Sequence, residues 1–394
     1  MDFWKFLYIV DWTLFAIAAI TVFYMLVYTI AALFLRRGDI PKSKYQNRFI
    51  ILIPSYKNSS VEQTVMSALA QSYPQRLFDI TVISDHNTEI TNFHLAQQPV
   101  TLLTPNFETS TKAKSLQLAI NNLPQFKIYD IVVILDAGNI IENDFLERMN
   151  DAMETAGTKA IQAHRLSRNR DTAAARMDAI FEEINNTIFR RGHIALGLSA
   201  AIAGSGMAFD FNWFKTNIMN TKATWEDKEL EALLMRQHIY VDYFDDIYVF
   251  DEKTRNATDF NRQRGRWIKT QIFSALHNVK YLPVAIFNQH YDWADKIIQW
   301  LLLPRMILMA LIIGMGVILP FVYLTLALKW WGLFAAVLLV FAMATPDYLV
   351  DKYWNSTFLR SPLILMQSIP GLRHVVALFE TAEKRIKAIS GRSK

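Results

Sequence analysis

The alternation of apolar and polar positions divides the chain into three kinds of stretch. Continuous apolar runs cover residues 12–35, 306–328 and 331–350, and each is long enough to cross a bilayer, which takes about 20 residues. Short apolar runs rich in Ile and Val, ended by turn residues, cover residues 48–54, 79–85, 100–103 and 131–135. Runs of that kind predict strands buried on both faces. Residues 159–164 and 240–249 read as two further strands, and helical spacing of apolar residues covers 61–72, 111–121, 176–192, 225–234 and 288–303. Strands alternating with helices imply βαβ units, an α/β fold and a mostly parallel sheet. Asp85 and Asp136 stand at the carboxyl ends of their strands, where open α/β sheets bind ligands.

Charge gives the apolar runs an orientation. Arg36, Arg37, Lys42, Lys44 and Arg48 follow the first run, against Lys5 alone before it, so the chain after residue 35 is expected in the cytoplasm. The first run is too long for a signal-peptide core. Lys329, Trp330 and Trp331 are expected to form the turn between the second and third runs, making them a hairpin. The tail after Glu383 carries Lys384, Arg385, Lys387, Arg392 and Lys394 and no acid, as suits a cytoplasmic end. The expected divisions are a transmembrane helix at 1–36, a catalytic domain at 45–285, an interfacial amphipathic helix at 286–304, a transmembrane hairpin at 305–350 and an interfacial, basic segment at 351–394. Tyr291, Trp293, Ile297, Trp300 and Leu301 supply the apolar stripe of the interfacial helix.

The chemistry narrows by exclusion. The chain has no cysteine, which removes disulfides and thiolate metal sites. No Gly-x-Gly-x-x-Gly follows the first strand, and there is no Gly-Lys-Ser/Thr phosphate loop. Neither Gly204-Ser205-Gly206 nor Gly197-Leu198-Ser199 completes the Gly-x-Ser-x-Gly turn of a serine hydrolase. The formal charge of +5 fits a membrane surface or nucleic acid. The basic cluster at 261–267 stands alone without repeated aromatic stacking positions, so no nucleic-acid partner is expected. No ionisable residue sits mid-span to mark a transport path. Acids at strand ends with a divalent cation remain as the means of holding phosphates.

In their order along the chain, the remaining motifs resemble the family-2 glycosyltransferases, specifically their membrane-embedded inverting members related to cellulose and hyaluronan synthases. Pro54-Ser55-Tyr56 resembles the turn beside the nucleotide base. Ser84-Asp85 resembles the pair that contacts base and ribose, and Thr111-Lys112-Ala113 is similar to the motif that places a lysine near the diphosphate. Asp136-Ala137-Gly138 occupies the Asp-x-Asp position, Gly204-Ser205-Gly206 the acceptor-side loop, and Glu226-Asp227 the Glu-Asp of Thr-Glu-Asp. Gln263-Arg264-Gly265-Arg266-Trp267 is a full Gln-x-x-Arg-Trp motif.

The resemblance implies a GT-A-type domain that moves a sugar from a nucleotide-diphospho-sugar, foremost a UDP-sugar, to a glycan or lipid-linked acceptor with inversion. Asp227 is the implied general base and Glu226 its neighbour in the site. Pro54, Tyr56, Asp85, Lys112, Asp136 and Arg266 are implied on the donor, and Gly204, Ser205, Gly206, Gln263 and Trp267 on the acceptor. Mg2+ or Mn2+ is the implied cofactor, on Asp136 with Asn139 compensating for Gly138, which stands where the family has its second Asp. The expectation is a multi-pass protein of a bacterial inner membrane with its catalytic domain cytoplasmic, in contact with the bilayer and working alone, as an oligomer or within a synthase complex. The loss at Gly138 motivates the alternative of a catalytically weak, membrane-tethered sugar-nucleotide-binding subunit.

Overall fold

The structure is a computed structural model that describes residues 3–221 and 226–350. The segment expected at 351–394 and the helix start expected at Trp225 lie outside the described residues. Among the described residues eight strands are formed: β1 (Phe49–Tyr56), β2 (Phe78–Asp85), β3 (Thr101–Leu103), β4 (Ile131–Ile134), β5 (Ile140–Ile141), β6 (Ala160–Ser167), β7 (Met207–Asp210) and β8 (Val241–Asp251). Among the described residues they make one sheet in the order β3-β2-β1-β4-β7-β6-β8-β5. β3, β2, β1 and β4 run parallel, β7 is antiparallel to both β4 and β6, β6 and β8 are parallel, and β5 closes the edge antiparallel to β8. The mostly parallel α/β sheet therefore forms. The stretch 203–209 contributes a strand that the apolar pattern does not announce: Gly206, at φ +67°, turns the chain into β7.

The helices are α1 (Phe3–Phe34), α2 (Val61–Leu69), α3 (Glu89–Ala96), α4 (Lys112–Asn122), α5 (Phe145–Ala156), α6 (Ala173–Asn185), α7 (Gly192–Ala195), α8 (Phe211–Ile218), α9 (Glu226–Arg236), α10 (Ala257–Asn278), α11 (Leu282–Phe287), α12 (Tyr291–Leu301), α13 (Arg305–Ile318) and α14 (Leu324–Ala344). Side-chain caps start several of them. Thr111 accepts from the Lys114 N–H at α4, and Thr172 from the Ala175 N–H at α6, each satisfying a donor that the first turn leaves free. The two sheet faces bury separate cores. On one side Ile51, Val133 and Val249 pack against Val65 of α2 and Met149 of α5. On the other, Leu52, Val132 and Phe209 pack against Leu116 of α4, Phe214 of α8 and Leu230 and Leu234 of α9. Burying each such leucine stabilises the fold by roughly 2 kcal/mol.

A third core joins this domain to the apolar helices. Met25 and Tyr28 of α1, Met309 and Ile312 of α13, and Trp330 and Val337 of α14 pack with Phe181 and Ile184 of α6 and with Ile188. Ile188 lies in a π-helical turn, Asn186–Arg191, that continues α6. At Gly192 a β-carbon would stand 2.2 Å from the Tyr28 carbonyl oxygen, so glycine is what lets α1 approach α7 this closely.

Trp4–Phe34 and Leu324–Ala344 are long and apolar enough to cross a membrane, and Tyr291–Leu301 with Arg305–Phe321, bent by 51°, would make a third span if counted together. Two details differ from the sequence pattern. The turn before α14 falls at 319–323, because Pro320 ends α13. Lys329 and Trp330 instead lie within α14, where the ammonium pairs with Asp11 and sits 3.8 Å over the Trp12 ring, and the indole N–H donates to Asp11 at 2.8 Å. Of the α12 stripe, Trp293, Ile297 and Trp300 are buried in the same core as α9, while Tyr291 and Leu301 stay exposed.

Candidate active site

The parallel register brings the strand ends to one edge. Tyr56 pairs with Asp85, and Leu52 with Ile134, so the turns after β1, β2 and β4 open side by side. Asp136 follows β4, and its N–H is held by two acceptors, Asn139 Oδ1 at 2.9 Å and Ser205 Oγ at 3.2 Å. The Ser205 hydroxyl also bonds Asn139 Oδ1, and the Gly206 N–H donates to the Ile134 carbonyl at 2.9 Å. The loop 204–206 is thereby fixed against Asp136. Gly138 adopts φ +100° and donates its N–H to Thr64 Oγ1 at 2.8 Å. That is a backbone conformation side chains avoid, which accounts for glycine at the position.

Lys112 reaches across from the first turn of α4. Its ammonium pairs with Asp136 Oδ1, donates to the Gly204 carbonyl at 2.6 Å and lies 4.0 Å from Glu226 Oε1. Burial alone would lower its pKa, but Asp136 and Glu226 outweigh burial and raise it. Glu226 and Asp227 open α9 beside it, and a β-carbon on Gly204 would stand 3.7 Å from Asp227 Oδ2. Glu226 is 5% exposed. Burial raises its pKa to about 7, against the pull of Lys112 and with the repulsion of Asp227.

At the next strand end, Asp85 is 1% exposed. One oxygen contacts His86 Nδ1 at 2.5 Å, while the other is buried without a hydrogen-bond partner among the described residues. His86 adopts φ +55° and meets the exposed Tyr56 ring edge-on, at 5.7 Å between centroids. Pro54, half-buried in β1, pairs with Ile83. The sequence pattern does not single out His86, whose only signal is its place directly after the strand-ending acid.

The structure thus brings together Asp136, Lys112, Gly204, Ser205, Gly206, Glu226 and Asp227, with Pro54, Tyr56 and Asp85 at the adjoining turns. The Gln-x-x-Arg-Trp residues lie apart from this cluster's hydrogen-bond network, on α10. Arg266 and Trp267 are exposed, Gln263 Oε1 is buried without a partner among the described residues, and the intervening Arg264 is buried against Asp178 and 4.4 Å under Trp267.

Supporting residues that the motifs do not include hold the loop. Gln162 accepts from the Ala203 N–H at 2.9 Å and donates to the Ser205 carbonyl at 2.9 Å. Arg165 donates to the Ala203 carbonyl at 3.0 Å, and Glu231 accepts from the Ile202 N–H at 2.9 Å. These partners lie far apart in sequence, which is why no local motif marks them.

For a divalent cation the chain offers little by itself. Among the described residues no group of three His, Cys, Asp or Glu side chains converges on one point. Asn139 is fully buried with its oxygen turned to the Asp136 N–H and Ser205. The Asp136 side chain is 41% exposed and uses one oxygen on Lys112. A single accessible carboxylate fits Mg2+ or Mn2+ only where a diphosphate and water supply the other ligands.

Comparison with known proteins places the chain in a family and a fold. The family model described as glycosyltransferase like family 2 matches residues 47–270. The mannosyltransferase PcManGT from Pyrobaculum calidifontis, solved in complex with GDP-Man and Mn2+, aligns with a TM-score of 0.51 at 15% identity, over 90% of this chain and 97% of that one. S. aureus TarS 1-349 in complex with UDP aligns with a TM-score of 0.37 at 11% identity, over 58% of this chain and 64% of that one. No curated protein matches the chain in sequence. The likeness to PcManGT identifies the fold, a mixed α/β sheet of GT-A-like form with apolar helices toward both ends.

Proposed function

The chain belongs to the family-2-like glycosyltransferases, and from that premise we propose that it moves a sugar from a nucleotide-diphospho-sugar to an acceptor hydroxyl at a membrane, with inversion, in polysaccharide or glycolipid synthesis. The observation that carries this reading is the convergence of Lys112, Asp136, the Gly204-Ser205-Gly206 loop and Glu226-Asp227 on one edge of the sheet.

Asp227 serves as general base. The acceptor hydroxyl attacks the anomeric carbon from the face opposite the phosphate, and its proton passes to the Asp227 carboxylate. The bond from the anomeric carbon to the phosphate oxygen breaks, and its electron pair leaves with the nucleoside diphosphate. A positioned base contributes about 10²–10⁴-fold to such a step. Lys112 and Arg266 meet the charge on the departing diphosphate. Asp136 would hold Mg2+ or Mn2+, which when bound adds to that neutralisation. Asn139 acts through Asp136, by fixing its backbone. Asp85 retains one unpartnered oxygen for a donor group of base or ribose, next to Tyr56. Gln263 and Trp267 serve the acceptor, Trp267 as an aromatic face for a sugar ring. Residues 1–36 and 305–350 anchor the catalytic part, 45–285, to the cytoplasmic side of a bacterial inner membrane.

The test is release of nucleoside diphosphate by the purified, detergent-solubilised protein supplied with a lipid extract. UDP-, GDP- and dTDP-sugars are offered with Mg2+, Mn2+ or chelator. Metal-dependent release from one donor class is expected. Tight nucleotide binding without release from any donor would contradict an enzyme and favour a binding subunit, the reading that Gly138 motivates.

A further inference from the structure

The side-chain amide of Asn139 has a donor end and an acceptor end, and its neighbours fix which way it faces. The Asp136 N–H only donates, so it takes the Asn139 oxygen, at 2.9 Å. A carboxylate only accepts, and Asp251 Oδ1 lies 3.2 Å from Asn139 Nδ2. Asp251 ends β8, which pairs antiparallel with β5, Phe250 opposite Ile140. The end of β8 therefore meets the residue just before β5. The second oxygen of Asp251 accepts from Arg165 at 2.7 Å and from Lys253 at 3.0 Å. Desolvation opposes the charge on Asp251, and Lys253 and Arg165 outweigh it and lower its pKa. Arg165 also donates to the Ala203 carbonyl at 3.0 Å. A closed ring results. It runs from the Asp136 N–H through Asn139, Asp251 and Arg165 to Ala203, and returns through Ser205, whose hydroxyl donates to Asn139 Oδ1 and accepts from the Asp136 N–H.

We propose that Asp251 is a positioning residue for the transfer. By dictating the orientation of the Asn139 amide, it holds the Asp136 turn on the donor side and the Gly204-Ser205-Gly206 loop on the acceptor side in one geometry. The inference rests on the proposed function for what the two sides bind, while the ring is a matter of hydrogen bonds alone. Without the carboxylate the ring loses its direction. In Asp251→Asn the remaining oxygen is drawn to Arg165 and Lys253, which leaves the new NH2 toward Asn139. The Asn139 amide then turns over to accept from it and sets its own NH2 against the Asp136 N–H, donor against donor. Neutralising cations does not account for Asp251, because Arg165 and Lys253 share a second acid, the buried Glu182, at 3.9 and 3.5 Å. What Glu182 does not supply is an acceptor for Asn139.

The test compares three full-length proteins in detergent: the parent, Asp251→Asn, and the exchanged pair Asn139→Asp with Asp251→Asn. The exchanged pair keeps the net charge and restores the direction of the ring. A carboxylate at 139 accepts from the Asp136 N–H, and an amide at 251 donates to it. Amide hydrogen exchange is followed by mass spectrometry in the segment 131–140, with 49–54 of β1 as the control for the fold. Asp251→Asn is expected to exchange about tenfold faster at the Asp136 amide, the equivalent of about one net hydrogen bond, with β1 unchanged. The exchanged pair is expected to return to the parent's rate. The Mn2+ concentration that half-saturates nucleoside diphosphate binding is expected to rise about 10–100-fold in Asp251→Asn and to recover in the exchanged pair. Parent-like exchange at Asp136 in Asp251→Asn would overturn the proposal. So would an exchanged pair no better than Asp251→Asn, the result expected of a mere counter-ion to Arg165 and Lys253. If Asp251→Asn yields no folded protein, recovery of folded protein in the exchanged pair is the same rescue, and failure to recover it overturns the proposal. A parent that binds no nucleotide would strike the proposed function and leave hydrogen exchange to decide the role of Asp251.

Discussion

Two buried carboxylates on α9, Glu226 and Glu231, stand five residues apart and meet opposite electrostatic fates. Glu231 is fully buried and has two cations of its own, Lys228 at 2.8 Å and Lys296 at 3.3 Å, besides the Ile202 N–H. Burial opposes its charge, the two lysines outweigh burial, and its pKa falls to about 2. Glu226 is nearly as buried, but the only lysine beside it, among the described residues, is already held by Asp136 and the Gly204 carbonyl. Its pKa rises to about 7. A buried acid with its own cations is scaffold, while one left short of them in a cleft is a candidate for a site that a ligand completes. On this helix the scaffold end ties α9 to α12 and to the chain before the 204–206 loop, and the other end faces the loop itself.

Substitutions at the two ends should therefore fail differently. Asp227→Asn should lower turnover by about 10²–10⁴-fold while leaving nucleotide affinity and thermal stability near those of the parent. Equal turnover would remove Asp227 as base. Glu231→Gln should instead destabilise the fold by about 3–5 kcal/mol, because the fully buried Lys296 ammonium and the partly exposed Lys228 lose their partner, and adding Lys296→Met should recover part of that in denaturant unfolding. The Glu231 contribution is present above pH 4.5, its unfolded value, and is lost as pH falls toward 2.

Glu226 gives the opposite sign. Its carboxyl titrates near 7 folded and near 4.5 unfolded, so the folded state holds more protons between those values. Stability falls as pH climbs from 4.5 to 7 and stays lower above. Glu226→Gln should remove that fall, raising stability at pH 8 by up to ~3 kcal/mol and changing it little at pH 4, measured by thermal unfolding across pH. The smallest effect concerns Gly138. Gly138→Asp restores a second acid in composition but must hold it at φ +100°. It should cost about 1–3 kcal/mol of stability without tightening Mn2+ binding, as read by titration calorimetry.

The difference between the two ends also explains what the sequence could and could not disclose. Strands β1 and β4 are legible because each opens as an unbroken apolar run stopped by a turn, β2 because its Ile and Val residues run up to a strand-ending acid, and α4 by the helical spacing of its apolar residues. The approach of Lys112 and Glu226-Asp227 to Asp136 is what the resemblance to family-2 glycosyltransferases implies; strand ends and helix starts alone place only Asp85 and Asp136 at one edge. The Glu231–Lys296 pair is not legible, because its members lie 65 positions apart and each reads alone as a surface charge. The stripe Trp293, Ile297, Trp300 shows that α12 has an apolar face, but periodicity does not say whether lipid or protein covers it; Glu231 and Ser199, which hold Lys296 and Asp292, turn it inward. Lys329 looks like a loop residue until Asp11, at the other end of the chain, pairs with it.

On the proposed function, Asp136 and the donor side bind a divalent cation only together with the nucleotide. Titration calorimetry of Mn2+ into the purified protein, with and without a bound nucleoside diphosphate, tests it most directly. No saturable binding is expected with the protein alone, binding is expected once the nucleotide is present, and chelator is expected to lower nucleotide affinity at least about tenfold, equivalent to ~1.4 kcal/mol. Mn2+ binding equally well without nucleotide, or nucleotide affinity indifferent to chelator, would contradict it.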